Sequence, residues 1–322
     1  MKIEKWMVCA AALACFLVIG CKEKNKSAVV VGQPVKASSG AASAEQVAME
    51  MRGNVQCPAK PTSQRPAGAP IDDVVGVRPG MPLDEAAHVV LCDNPLLVVT
   101  ENTSRGYDIP TFGQHIRQGF DAKFAEPRTE KTSRDILREM QEDAMRRGSN
   151  TYVAPLKSGQ VRYFVSSMGL PSQEQVLSVA REEYFQDGKS PSVESVKQAL
   201  ISKYGQPSQI ESSGAHTYLW WEYETNGNKI VEGSPNYAAC RINVSPDSGT
   251  SLSTACGVSV GALIQGEKDN SALAHSLAVT SQNGAMGYAV LKTTQEALQR
   301  NDEVRRAREV TAAGKNANQP KL

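Results

Sequence analysis

The sequence predicts an α+β protein, with antiparallel sheets, helices packed on them and a helix at the C-terminal end. Three observations carry this. Helical and strand patterns follow one another as helix, strands, helix, strands, helix. The regular strand–helix alternation and glycine-rich phosphate loops of a parallel sheet are missing. Asn226-Gly227 after a strongly apolar strand is a hairpin signal, which belongs to antiparallel pairing.

The elements read in order from about Asp72. Val74, Val75 and Val77 suggest a short strand. Gly80-Met81-Pro82 turns into a helix ending near Leu91. Proline suits its first turn, and Asp84 and Glu85 favour the positive end of the helix dipole. Leu83, Ala86, Ala87 and Val90 form its apolar stripe. Strands are expected at 96–99 and 116–124. Thr132 caps a helix to Arg147, with Ile136, Leu137, Met140 and Ala144 expected on its buried face. Strands follow at 161–167 and 176–185. Ser192 caps the next helix, which Tyr204-Gly205 ends and Pro207 prevents from continuing. Four more strands are expected at 217–225, 237–244, 257–265 and 273–280, then a helix over 290–310.

The N-terminus has its own pattern. Lys2 and Lys5 precede an apolar run from Met7 to Ile19, too short to cross a bilayer as a helix. Leu17-Val18-Ile19-Gly20-Cys21 follows, then the polar Lys22. This resembles a bacterial lipoprotein signal, which implies cleavage before Cys21 and acylation of Cys21. Several acyl chains would anchor the protein to a membrane far more firmly than one. In lipoproteins of the enteric type an aspartate after the cysteine favours the inner membrane. Lys22 stands there, so the resemblance points to the periplasmic side of the outer membrane. The expected organisation is a signal peptide at 1–20, a flexible tether at 21–70, and α+β modules at 71–188 and 189–322. The tether is rich in small and polar residues and carries four prolines between Pro58 and Pro70, with a short helix expected around Ala44 to Met51.

The chain has 35 basic and 34 acidic residues. Loss of the signal removes two lysines and one glutamate and leaves the two signs equal. Nucleic acid is therefore not an expected partner. Of the seven cysteines, Cys9 and Cys15 leave with the signal. Cys57, Cys92, Cys240 and Cys256 remain in an oxidising compartment, which suggests two disulfides in one of three connectivities. Pairing of near neighbours favours Cys57–Cys92 and Cys240–Cys256. No CxxC pair occurs, so no zinc site is expected.

Ser192 to Leu200 leads into Lys203-Tyr204-Gly205-Gln206-Pro207-Ser208, and Trp220-Trp221-Glu222-Tyr223 comes later. This resembles the helix, Gly-x-Pro turn and aromatic strand of the BamE (SmpA/OmlA) type of outer-membrane lipoprotein domain. It is also similar to one repeat of the β-lactamase-inhibitor-protein fold. Val77 to Ala86 resembles the opening of such a module, but Cys92-Asp93-Asn94-Pro95 replaces the Gly-x-Pro turn after its helix. The resemblance implies up to two such modules.

No catalytic set emerges. His88, His115, His216 and His275 lie in no ligand spacing, and GxSxG and P-loop motifs are missing. Asp72-Asp73 and Glu182-Glu183 are adjacent, and neighbours on a strand face opposite sides. Lys203 beside Tyr204 fits a helix C-terminus for dipole reasons. No cofactor and no metal are expected. The aromatic strand is the best surface candidate. Leu219, Trp221 and Tyr223 share one face, read as core. Tyr218, Trp220 and Glu222 share the other, which is exposed or covered by a helix. Tyr218 and Trp220 are the expected partner-binding residues. The expected function is a non-catalytic envelope lipoprotein that binds a periplasmic or envelope protein, as an inhibitor or immunity protein against a toxic effector. The alternative is a lipoprotein of outer-membrane assembly or envelope integrity.

Overall fold

The fold is taken from a computed structural model, which describes residues 41–102, 107–129, 132–148, 156–244 and 251–318. Cys21, the signal region and the tether up to residue 40 lie outside the described residues.

Eight strands form one antiparallel sheet. They are β1 (Leu97–Asn102), β2 (Gly119–Phe124), β3 (Val161–Met168), β4 (Gln175–Tyr184), β5 (Gln209–Ser213), β6 (His216–Glu224), β7 (Cys256–Gly266) and β8 (Ala274–Asn283). Their order across the sheet is β1-β2-β3-β4-β8-β7-β6-β5. Helix α2 (Leu83–Asp93) precedes β1, and α4 (Val193–Tyr204) precedes β5. The chain is thus two units of one helix and a four-stranded meander, joined where β4 pairs with β8.

The two units repeat their wiring in detail. In the first, Val176 N–H donates to the Met81 carbonyl at 2.8 Å, and Leu83 N–H to the Glu174 carbonyl at 3.0 Å. In the second, Ala274 N–H donates to the Pro191 carbonyl and Val193 N–H to the Ala272 carbonyl, both at 2.8 Å. Each helix start is therefore stitched to the last strand of its own meander. The hydrogen bonds also satisfy backbone groups that a helix N-terminus leaves orphaned.

One face of the sheet carries both helices. Leu97, Phe120, Tyr163, Val165 and Val179 meet Leu83, Ala86 and Val90 of α2, while Leu219, Trp221, Val260 and Ile264 meet Val196 and Leu200 of α4 in a single core. The apolar stripe read for α2 is this buried face. Ser192 caps α4, its hydroxyl accepting from Ser195 N–H at 3.0 Å. Gly205 ends it at φ 80°, a conformation that favours glycine. A long helix α5 (Gly284–Asn316) packs through Val290, Leu291 and Leu298 on Ile116, Met168 and Leu177, apart from the main core.

Several expectations need correction. Residues 41–70 do not hang free as a tether but lie against the body. The short helix expected around Ala44 to Met51 is present as α1 (Ala44–Arg52), and it packs Val47 and Ala48 on Val98 and Ala125. Arg52 donates to the carbonyls of Leu91, Asn94 and Leu97. Ser63 donates to Glu85 through N–H and hydroxyl. Polar side chains and a disulfide order this segment, so an apolar pattern was not needed to place it. Val74 and Val77 form an isolated bridge around a turn, with Val75 at φ 48°. The helix expected after Thr132 exists as α3 (Ser133–Gly148), but Ile136, Leu137 and Met140 are exposed. Residues 237–244 are not a strand but an irregular crossing segment. Strand β5 was missed, because Gln209-Ile210-Glu211-Ser212-Ser213 holds one apolar residue in five.

Candidate partner-binding site

The register of β6 fixes which aromatic side chain goes where. Leu219 lies opposite Ala262 and Trp221 opposite Val260, all on the helix side. Trp221 is fully buried, donates from its indole N–H to the Gly205 carbonyl at 2.8 Å, and lies 5.1 Å from the Tyr204 ring. Tyr218 lies opposite Leu263 and Trp220 opposite Gly261, on the face away from α2 and α4. The sequence reading of the two faces therefore matches the structure.

The exposure expected for Trp220 does not. Trp220 is only 6% exposed. Its cover is the segment between β6 and β7, which turns at Asn226-Gly227 and returns across the sheet. Ile230 N–H donates to the Glu222 carbonyl at 2.8 Å, and Cys240 is bonded to Cys256 at the start of β7. Ser259 then donates to the Cys240 carbonyl at 3.0 Å. The indole N–H of Trp220 donates to the Ile242 carbonyl at 3.2 Å, and Val244 packs beside the ring. The segment sits so low that a Cβ on Gly261 would stand 3.3 Å from Ile242, Trp220 and Val244 atoms alike. The Cys240–Cys256 disulfide ties this cover to the start of β7 beside Trp220.

What reaches the surface is the layer above Trp220. The Tyr218 ring stacks on Trp220 with centroids 5.4 Å apart and planes 2° from parallel, and is itself half-buried. The Arg241 guanidinium stands 4.5 Å from the Trp220 ring centre, close enough for a cation–π contact. Arg241 also donates to Gln209 and pairs with Glu211 at 3.6 Å. Tyr237 donates its hydroxyl to the same Gln209 oxygen at 2.9 Å. Tyr218, Arg241, Tyr237 and Glu211 thus form an aromatic and charged patch on a rigid base.

Glu222 lies on the Trp220 side, as alternation predicts, but its burial was not foreseen: it is fully buried, and neither carboxylate oxygen has a hydrogen-bond partner among the described residues. Burial pushes its pKa up, with the nearby Arg241 pulling it down. Its place in Trp220-Trp221-Glu222 was the available signal, since a charge within an apolar strand run is rarely solvated on both faces.

The remaining candidates are scattered and partnered. His88 contacts the Gln56 carbonyl at 2.6 Å, His115 pairs with Glu101 at 3.3 Å, and His275 with Glu267 at 3.3 Å. His216 is near Tyr218, ring centroids 6.3 Å apart. Glu182 pairs with Arg162 on one face of β4 and Glu183 with Arg181 on the other, as adjacent strand residues must. Lys203 holds Asp73 at 2.8 Å. Burial of Asp73 opposes its ionisation, but Lys203 and the Gly76 N–H keep its pKa low. Cys57 and Cys92 are joined to each other, so neither is a nucleophile in this state. Both disulfides follow the pairing favoured from sequence. Among the described residues no cluster of three or more His, Cys, Asp or Glu could hold a metal.

Compared with known protein families, curated proteins and solved structures, the chain matches none.

Proposed function

We propose that this chain is a non-catalytic envelope lipoprotein, acylated at Cys21 on the periplasmic side of the outer membrane, that binds a protein partner. Within that class the favoured role is an inhibitor or immunity protein against a toxic effector. The observation that carries the reading is the doubled unit. Helix, turn and four-stranded meander occur twice with the same stitching and join into one sheet. This agrees with the resemblance of residues 77–86 and 192–223 to inhibitor-type and BamE-type modules. Two disulfides and the Tyr218–Arg241 patch suit a rigid recognition surface, where aromatic and arginine side chains supply most binding energy. The BamE side of the same resemblance supports the second reading, a lipoprotein of outer-membrane assembly.

The test is crosslinking of the lipidated protein in intact envelopes from a photoreactive residue at Tyr218, followed by identification of the partner. A secreted toxin or envelope enzyme as the major adduct supports inhibition, and a β-barrel assembly component supports the second reading. Tyr218→Ala should weaken that complex by about 2 kcal/mol while leaving the melt in place. Undiminished capture by Tyr218→Ala would remove this patch from the interface. Cys21→Ala should lose incorporation of labelled palmitate, and continued labelling would refute the anchor.

A further inference from the structure

The two edges of the sheet are treated differently. At the β1 edge, α1 lies alongside and Arg52 occupies the Leu97 carbonyl. At the β5 edge Tyr237 and Arg241 reach the Gln209 and Glu211 side chains, but among the described residues no helix or loop hydrogen-bonds to the outward backbone of Ile210 or Ser212. The phase of the β5–β6 ladder says what this leaves open. The hairpin turns over Gly214-Ala215, so Ser213 and His216 form its closing pair. A two-residue turn makes that pair a hydrogen-bonded one, and alternation extends this to Glu211–Tyr218 and Gln209–Trp220. Ile210 and Ser212 therefore point their N–H and C=O groups outward, with no partner. Ile210 is also 47% exposed, and among the described residues it alone of the large exposed apolar side chains lies in a strand. The usual edge defences, lysine and proline, do not occur in Gln209–Ser213.

We infer that β5 is a docking edge for an extended segment of a partner protein, added as a ninth strand. Charge selects this occupant over a second copy of the chain. Antiparallel self-pairing that uses all four outward groups centres on Glu211. It would set two Glu211 side chains directly across from each other, where like charges destabilise a sheet. Glu211 is paired with Arg241 on the β6 side yet stays half exposed, so a heterologous strand with lysine or arginine at that position meets its open side favourably. The same strand presents β-branched or aromatic residues to Ile210 on the other face. The expected partner segment alternates apolar and basic residues. This deepens the protein-binding reading, and the edge adjoins Gln209 and Glu211 of the Tyr218 patch.

The test uses the folded protein and a short synthetic peptide of alternating valine and lysine. In the free protein the Ile210 and Ser212 amides should exchange with solvent much faster than those of Glu211 and Ser213. Saturating peptide should slow them by about tenfold or more, since they gain hydrogen bonds. Ser212→Pro removes an outward N–H and leaves the β5–β6 ladder its own hydrogen bonds. It should abolish peptide binding with an unchanged melt, whereas Ser212→Ala should bind normally. A peptide with glutamate in place of lysine should bind more weakly. Slow exchange at Ile210 and Ser212 in the free protein overturns the proposal, as does equal binding by a folded Ser212→Pro. A dimer in sedimentation that Ser212→Pro dissociates would assign the edge to a second copy instead. None of these outcomes depends on the crosslink from Tyr218, so failure of the edge and failure of the protein-binding reading are distinguishable.

Discussion

The first unit sends the connection between β2 and β3 away from the sheet as α3, whose Ile136, Leu137 and Met140 stay exposed. The second unit brings the connection between β6 and β7 back onto its own sheet and bolts it there through Cys240–Cys256. The first unit keeps its disulfide for the segment before α2, joining Cys57 to Cys92 and closing the β1 side with α1. One scaffold thus has two kinds of surface. The first unit is capped at its edge and decorated at a distance. The second is covered on its open face and bare at its edge. Insertions and crosslinks, rather than the repeated strands, distinguish the halves.

The comparison breaks first at the tryptophans of β6. Trp221 has a counterpart role in the common core, so Trp221→Ala should cost about 3–5 kcal/mol in a denaturant titration. Trp220 belongs to the covered face alone. Trp220→Ala should cost less, about 2–3 kcal/mol, and loosen the 240–244 crossing without melting α4. Equal loss of all structure in both variants would mean that the covering segment is part of the common core.

The crosslink is the next point to press. Replacing Cys240 and Cys256 by alanine opens a loop of 16 residues and should cost about 3 kcal/mol by the loop-entropy relation. Trp220 emission should shift to the red as Ile242 and Arg241 leave the ring. The Cys57–Cys92 link spans 35 residues, and its removal should cost about 4 kcal/mol and release α1. If losing Cys240–Cys256 leaves Trp220 shielded, packing of Ile242 and Val244 holds the cover unaided.

Legibility followed the same division. The repeated elements announced themselves, because each buries one face and so carries a period in its sequence. The Ser192 cap, the Gly205 stop and the alternation in β6 are of this kind. Cysteine arithmetic gave the pairing for the same local reason: the partners are near in sequence. The unit-specific parts were less readable. Strand β5 is an edge with both faces exposed for most of its length, so nothing forced a period on it. Residues 237–244 alternate well enough to mimic a strand, yet Ile242 and Val244 rest at Trp220 and Tyr237 and Cys240 pack with Ile230, instead of pairing in a ladder. The site was half legible for this reason. Alternation placed Tyr218 and Trp220 on the right face, but only tertiary contact reveals what lies over them.

Glu222 sharpens the contrast through pH. Burial under the second unit's cover raises its pKa from the ordinary glutamate value, with Arg241 opposing. A carboxyl raised in the folded state contributes stability that is fully present below its unfolded value. That contribution is lost as pH rises through the folded value. Glu222→Gln should therefore match the parent in acid and exceed it in stability near neutral pH. Melts across the acid-to-neutral range would decide this. A variant less stable than the parent at neutral pH would show that the carboxylate is a needed partner for Arg241.

The smallest expected effect lies in α3, and it tests the first unit's half of the comparison. Ile136, Leu137 and Met140 are 48%, 57% and 65% exposed, so truncating them opens no cavity in the core. Thr132 and Asp135 supply the local start: the Thr132 hydroxyl donates to Asp135 at 2.6 Å and accepts from its N–H at 3.3 Å. Among the described residues, the contacts that support the start of α3 are thus local. Replacing all three apolar residues by serine should change global stability by no more than about 0.5 kcal/mol, while α3 itself loses helicity. Hydrogen exchange separates the two, with faster exchange in α3 and unchanged protection in β2 and β3. A loss of several kcal/mol would instead place α3 in the cooperative core, and the two connections would then differ in path rather than in role.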